Sequence, residues 1–175
     1  FEITTKMMDR HIKPGDKILD IGGGPGRYSI YYAQRGCDVT LVDLSTENVK
    51  FALEKAKELN AKINAVSCDA REVSKFITGE FDHIFVMGPM YHLLEEDDRI
   101  KALNEAISLL KDRGMIYVSF ILMFSGMIFG MKNSPEMLLF ENEEVFIDAV
   151  LKGKSYAGDA FTKAFFIDQK NIIPF

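Results

Sequence analysis

Residues 17–27 read K-I-L-D-I-G-G-G-P-G-R, an apolar run that passes without a spacer into a glycine-rich turn. Ile18, Leu19 and Ile21 have the unbroken apolar character of a strand buried on both faces. Glycine tolerates positive φ and has no Cβ, so a turn made of Gly22, Gly23, Gly24 and Gly26 lets a ligand lie against its backbone. Residues 28–34 then read as a helix opening on that turn, with the free N–H groups of its first turn aimed at whatever the turn holds. Strand, glycine turn and helix in this order make a nucleotide-type cofactor site in an α/β fold.

The glycine spacing discriminates among cofactors. A dinucleotide fingerprint, G-x-G-x-x-G, counted from Gly22 needs glycine at 24 and 27, and position 27 is Arg. An NAD-dependent oxidoreductase is disfavoured on that ground. The pattern present is G-x-G-x-G preceded by Asp20 on the strand, and an acid there suits a cofactor that carries a cation better than one that carries a pyrophosphate. D-I-G-G-G-P-G-R resembles the first motif of the class I S-adenosylmethionine (SAM) dependent methyltransferases. The resemblance implies that Asp20 and the four glycines face the amino acid end of SAM, with Tyr28 also against the cofactor. The implied fold is a Rossmann-like three-layer sandwich around a mostly parallel sheet.

Upstream, apolar residues at 3, 7, 8 and 12 give residues 1–12 a helical spacing, and Lys13-Pro14-Gly15-Asp16 ends that helix. It is expected to cover one edge of the cofactor cleft. Downstream, Gly36 closes the helix after the glycine turn, and D-V-T-L-V-D at 38–43 predicts a second strand, parallel to the first through a right-handed crossover. Asp43 ends that strand, where an acid accepts hydrogen bonds from ribose hydroxyls in dinucleotide and SAM folds alike. V-D-L-S resembles the second methyltransferase motif and implies cofactor contacts for Asp43 and Leu44. The competing reading, that Asp43 begins the cap of the next helix, has a rival in Ser45, the better N-cap for a helix over 45–59.

Residues 63–67 predict a third strand, and Cys68-Asp69-Ala70 follows it. The third methyltransferase motif places an acid and a small residue here, which implies Asp69 and Ala70 beside adenine. The plain alternative is that Asp69 caps the helix containing residues 73–77. F-D-H-I-F-V-M at 81–87 is a fourth strand, and it ends in Gly88-Pro89-Met90-Tyr91-His92-Leu93-Leu94. That ending resembles the G-P-L-Y-H-L segment of small-molecule methyltransferases, a group that includes the ubiquinone and menaquinone biosynthesis enzymes. It implies Met87 and Gly88 on the cofactor. Amino-methylating nucleic-acid enzymes place Asn or Asp where this chain has Gly88, which disfavours their chemistry.

Composition agrees with a single domain. The chain has 175 residues, 47% hydrophobic and 27% charged, as an ordinary globular protein does. A formal net charge of -5 with no basic stripe argues against a nucleic-acid partner. Phe1 rather than Met stands first, so the sequence reads as a piece of a longer chain. Cys37 and Cys68, at the start of the second strand and the end of the third, lie too far apart to bridge. No signal peptide is visible, and a reducing cytoplasm is expected. His11, His83 and His92 lack metal-ligand spacing, so no metal is proposed. A homodimer is left open.

A helix over 99–110, its acidic start at 95–98 favoured by the helix dipole, leads through a turn at 111–114 into a fifth strand at 115–120. Residues 115–131 carry no charge, but a strand cannot share a membrane span with a helix, so no membrane partner is expected. Residues 121–131 read instead as an apolar cover of the substrate side, with Met123, Met127 and Met131 reaching toward the cleft, or as plain core packing. Residues 121–160 form a lid or substrate-side insertion within the one domain over 1–175. Ser134 and Pro135 open a helix, 141–151 continues helical, 153–158 is loop, and 161–167 is a strand. The family's sheet closes with an antiparallel pair, and with one candidate strand the closure is expected to be incomplete.

The implied reaction is methyl transfer from SAM to a small-molecule acceptor, an in-line displacement that asks mainly for alignment and exclusion of water. His92 is the candidate base and Tyr91 the residue that orients the acceptor or flanks the sulfonium. The alternative of a different class is a SAM-binding module without catalysis.

Overall fold

The computed structural model describes residues 1–133, 143–159 and 163–172. They fall into two compact units, one of residues 1–89 and 97–118, the other of residues 90–96 with the described part of 119–175.

The first unit is a parallel sheet with the strand order β3-β2-β1-β4-β5. It comprises α1 (Glu2–Met8), β1 (Lys17–Ile21), α2 (Arg27–Ala33), β2 (Asp38–Asp43), α3 (Thr46–Glu58), β3 (Ile63–Ser67), a 3-10 turn over Ala70–Lys75, β4 (Phe81–Val86), α5 (Glu96–Ser108, less its first residue) and β5 (Leu110–Val118). A four-residue helix, α4 (Pro89–His92), leaves the end of β4. β1 is the central strand: Ile21 pairs with Val42 of β2 on one side and Val86 of β4 on the other. Ile18, Leu19 and Ile21 are completely buried, as an apolar run with no polar alternation requires. Each such side chain stabilises the fold by roughly 1.5–3 kcal/mol. On one face of the sheet Ile18, Val39, Leu41 and Phe85 meet Tyr32 of α2 and Ala52 and Ala56 of α3. The small alanines let α3 lie close to β2, and its start is set by Ser45, whose hydroxyl accepts from the Asn48 amide at 3.2 Å.

Several boundaries differ from the sequence expectation. α1 stops at Met8 rather than residue 12, with Asp9 as its C-cap. α5 starts at Glu96, so Glu96, Asp97 and Asp98 of the acidic run lie inside the helix and Glu95 precedes it. β5 begins at Leu110, because Leu110 pairs with Phe81 before an irregularity that absorbs Lys111 to Gly114. Arg113 has φ +62 within that irregularity.

The second unit has its own sheet, ordered β6-β8-β7, from β6 (Ile121–Leu122), β7 (Tyr156–Asp159) and β8 (Lys163–Ile167). α6 (Met123–Asn133) and α7 (Glu143–Leu151) lie between β6 and β7 in sequence. β7 and β8 are antiparallel, and Tyr156 faces Phe166 across the pair. The expected loop at 153–158 is thus corrected: Tyr156 starts a strand, because β8 supplies its backbone partners. An antiparallel pair is present after β5, where one strand was expected, and it belongs to a sheet separate from the parallel one. Met123 is buried against Ala164 and Phe166 of this unit, with Met127 beside them, so Met123 serves the unit's own core. Met131 is more than half exposed. The helix start expected at Ser134 and Pro135 lies outside the described residues.

Candidate functional site

The glycine turn leaves the carboxyl edge of β1, where ligands of open parallel sheets bind. Its glycines are present for different reasons. A Cβ on Gly22 would fall 2.5 Å from the Pro89 ring, and one on Gly88 would fall 2.6 Å from the Gly22 carbonyl oxygen. These two positions are glycine because the exits of β1 and β4 press backbone to backbone. A Cβ on Gly23 would meet the Asp20 carboxylate at 2.8 Å, and one on Gly26 would meet Ala52 at 3.0 Å. Gly24 is different: its φ is +54 and nothing of the protein lies within 4 Å of where its Cβ would be. The turn presents its backbone to open space there.

Three carboxylates stand around this edge. Asp20 is 2% exposed and accepts a hydrogen bond from the Ser29 hydroxyl at 2.7 Å. Burial pushes its carboxyl up to about 6, opposed by the Ser29 hydrogen bond and assisted by the nearby charge of Asp43. Asp43 accepts from the Gly24 amide at 2.8 Å through Oδ2, and from the Ser45 amide at 2.9 Å and Asn48 Nδ2 at 3.1 Å through Oδ1. It thus ties the glycine turn to the start of α3. The cap reading of this residue is seen directly, since it supports the start of α3 beside Ser45, and its Oδ2 is engaged by the glycine turn.

Asp69 caps the 3-10 turn, accepting from the Arg71 amide at 2.8 Å. The Arg71 guanidinium grips the same carboxylate through Nε at 3.0 Å and Nη2 at 2.6 Å, and reaches Asp98 in α5 through Nη1 at 2.8 Å. The Arg71 hydrogen bonds hold Asp69 below the usual carboxylate range against a smaller opposing effect of burial.

Of the other expected residues, Ala70 opens the 3-10 turn beside Asp69, and Leu44 is largely exposed with its carbonyl accepting from the Ser67 hydroxyl. Met87 packs on the core of the first unit. The Tyr28 ring lies 5.1 Å from Phe1 and 6.4 Å from Phe85. Phe1 also carries the Arg27 guanidinium 4.0 Å above its ring, so α1 is fastened to the helix that follows the glycine turn. Tyr91 and His92 are neighbours in α4, with ring centroids 4.5 Å apart. Motif reading missed Ser29, Asn48, Arg71 and Asp98. The one available signal was Asn48 in the third position after Ser45.

The opposite edge of the parallel sheet holds a cleft of about 260 Å³ lined by His11, Asp16, Asp82, His83, Asp112 and Arg113, among others. His83 is buried with Nε2 3.1 Å from Asp16 Oδ2. This cleft lies at the wrong edge for the site that the glycine turn builds. Among the described residues no group of His, Cys, Asp or Glu is arranged to hold a metal ion, and no helix is long and apolar enough to cross a membrane.

Comparison with known proteins agrees with the geometry. A glycine/sarcosine N-methyltransferase of Aphanothece halophytica is 36% identical over 101 residues, which is 57% of this chain and 38% of that protein. A ubiquinone biosynthesis O-methyltransferase of Xanthomonas campestris is 32% identical over 110 residues, 61% of this chain and 43% of that protein. The chain therefore spans about two fifths of the length of these curated relatives. In fold it is similar to a SAM-dependent methyltransferase of Methanosarcina mazei, with a TM-score of 0.70 and 21% identity over 95% of this chain and 80% of that one. The family model described as a methyltransferase domain matches residues 18–114, from the first buried strand into β5. With more than half of its length under that match, the chain belongs to the methyltransferase domain family.

Proposed function

We propose that this chain is the cofactor-binding part of a SAM-dependent methyltransferase that acts on a small molecule. The observation that carries the reading is Gly24, a left-handed residue with open space at its Cβ position and its amide held by Asp43. Bound there, SAM supplies an activated methyl group on a sulfonium. The chain's own residues bind and orient it. Asp20 sets a buried carboxyl under the turn to offset a cationic amino acid group. Asp43 has one acceptor position left after its three hydrogen bonds, and that position receives a ribose hydroxyl. Asp69 accepts from the amino group of adenine, with Ala70 beside the base, and Leu44, Met87 and Tyr28 add apolar surface.

His92 takes the proton from the acceptor and Tyr91 orients it. Residues 121–160 are assigned the acceptor side by their place in the sequence, directly after β5. The relatives are, by their names, an N-methyltransferase of glycine and sarcosine and an O-methyltransferase of ubiquinone biosynthesis, which supports a small acceptor carrying N or O. We assign the chain to a reducing cytoplasm, where the buried thiols of Cys37 and Cys68 stay reduced.

Calorimetric titration of the chain with SAM, S-adenosylhomocysteine and NAD tests the reading, together with Gly24→Ala. Both sulfur nucleosides are expected to bind and NAD is not. The new methyl meets no protein atom and stands in the open space the reading assigns to the cofactor, so a folded variant should bind SAM at least about tenfold more weakly. Unchanged SAM affinity in that variant, or binding of NAD alone, would refute the assignment.

A further inference from the structure

Arg71 decides what Asp69 can still do. A carboxylate offers about four acceptor positions. Arg71 takes three of them with its amide, Nε and Nη2, and its Nη1 anchors the pair to Asp98. The carboxylate is thus held between the end of β3 and the first turn of α5, and it presents one open position, on Oδ2. The side chains of Asp69 and Arg71 are 24% and 35% exposed, so the clamp is partly withdrawn from solvent. The same hydrogen bonds keep Asp69 ionised, which makes the open position an acceptor that never donates.

Resting on the assignment of Asp69 to the base of the cofactor, we infer that Arg71 is a specificity-determining residue: by clamping Asp69 it leaves a single fixed acceptor, which takes a purine bearing an exocyclic amino group and rejects one bearing a keto oxygen there. An amino group brings a donor to that oxygen. A keto oxygen brings a second acceptor against an anion and leaves both unpaired. Were the carboxylate free to rotate, it could turn away from the keto oxygen and meet a neighbouring ring N–H instead, and the discrimination would fall. Arg71 acts through Asp69 and is therefore a positioning residue. Lysine does not replace it, because an ammonium lacks the planar fork that grips both oxygens in one orientation.

The test is calorimetric titration of the whole chain, as wild type, Arg71→Lys and Arg71→Gln, with S-adenosylhomocysteine and S-inosylhomocysteine. Wild type is expected to prefer the amino base by about a hundredfold or more, and both variants to bring that ratio below about tenfold. A purely structural role would weaken both ligands together and leave the ratio alone. If either variant, folded by its thermal transition, keeps the wild-type ratio, Arg71 does not set specificity. Should Arg71→Gln fail to fold, Arg71→Lys alone decides. Equal wild-type binding of both nucleosides would overturn this inference together with the Asp69 assignment but leave the cofactor reading in place. Binding of neither would overturn all three.

Discussion

Replacing Asp20 by Asn tests whether the cofactor turn rests on a carboxyl that keeps its proton up to about pH 6 when the site is empty. Burial moves this group from 3.8 to about 6. A shift of about two units corresponds to about 3 kcal/mol between its protonation states. The sign follows from which state binds the proton more tightly. Below 3.8 the group is protonated whether the chain is folded or not. Between there and about 6 the unfolded chain has released its proton and the folded chain has not, so stability falls as pH rises. Above that window the full cost of a buried charge is present. The substituted carboxamide has nearly the same shape as the carboxyl, can accept from the Ser29 hydroxyl, and cannot ionise.

The stability advantage of Asp20→Asn over wild type should therefore grow by about 3 kcal/mol between about pH 4 and about pH 8, which for a chain of this size is about 6–12 °C in Tm. Urea unfolding of both proteins without ligand across that range, taken as a difference, cancels every other titrating group. A difference that stays flat with pH would refute the argument. The same variant should bind SAM more weakly above that window, because its carboxamide brings no charge to the cofactor's cation. Wild-type affinity should rise through about pH 6 as the carboxyl ionises.

Asp43→Ala removes the acceptor of the Gly24, Ser45 and Asn48 hydrogen bonds, so it should lower stability by about 1–3 kcal/mol and SAM affinity by a similar amount, read by thermal melting and calorimetry. Gly88→Ala forces a methyl to 2.6 Å from the Gly22 carbonyl, and denaturant melts should show a loss of about 1–3 kcal/mol, together with weakened SAM binding. A fully stable Gly88→Ala protein would show that the two exits separate easily. His92→Gln should lower kcat by about a hundredfold or more while leaving the SAM dissociation constant within about twofold, measured by S-adenosylhomocysteine release with an amine or phenol acceptor. Unchanged kcat would remove His92 as the base.

The parallel sheet was legible because β1, β2 and β4 are short, largely apolar stretches bounded by turn residues, a pattern that survives without knowledge of neighbours. β5 was read late because Lys111 to Gly114 look like a turn, and only pairing with β4 draws Leu110 into the strand. β7 escaped because Tyr156, Ala157 and Gly158 show no alternation, and its strand character comes from β8. At the site, motifs located Asp20, Asp43 and Asp69 but not their partners. Arg71 lies two residues past Asp69, and Asp98 is brought to it by α5; neither spacing has a periodicity that marks it. The purposes of the glycines were also hidden. The pattern reads Gly22, Gly23, Gly24 and Gly26 alike, whereas packing distinguishes Gly24 from the rest.

The contact between the exits of β1 and β4 also sets when the site can exist. Gly22 reaches its final surroundings only after Gly88 and Pro89 arrive beside it, and the intervening chain includes β2, α3 and β3. Contacts so distant in sequence form after local ones, since the closure entropy of a long loop opposes them. During synthesis the glycine turn therefore emerges first and becomes competent late. A nascent chain halted before β4 has made the glycine turn but not the Gly88 and Pro89 backbone that packs against it, so on the proposed reading SAM has no finished site to bind at that stage.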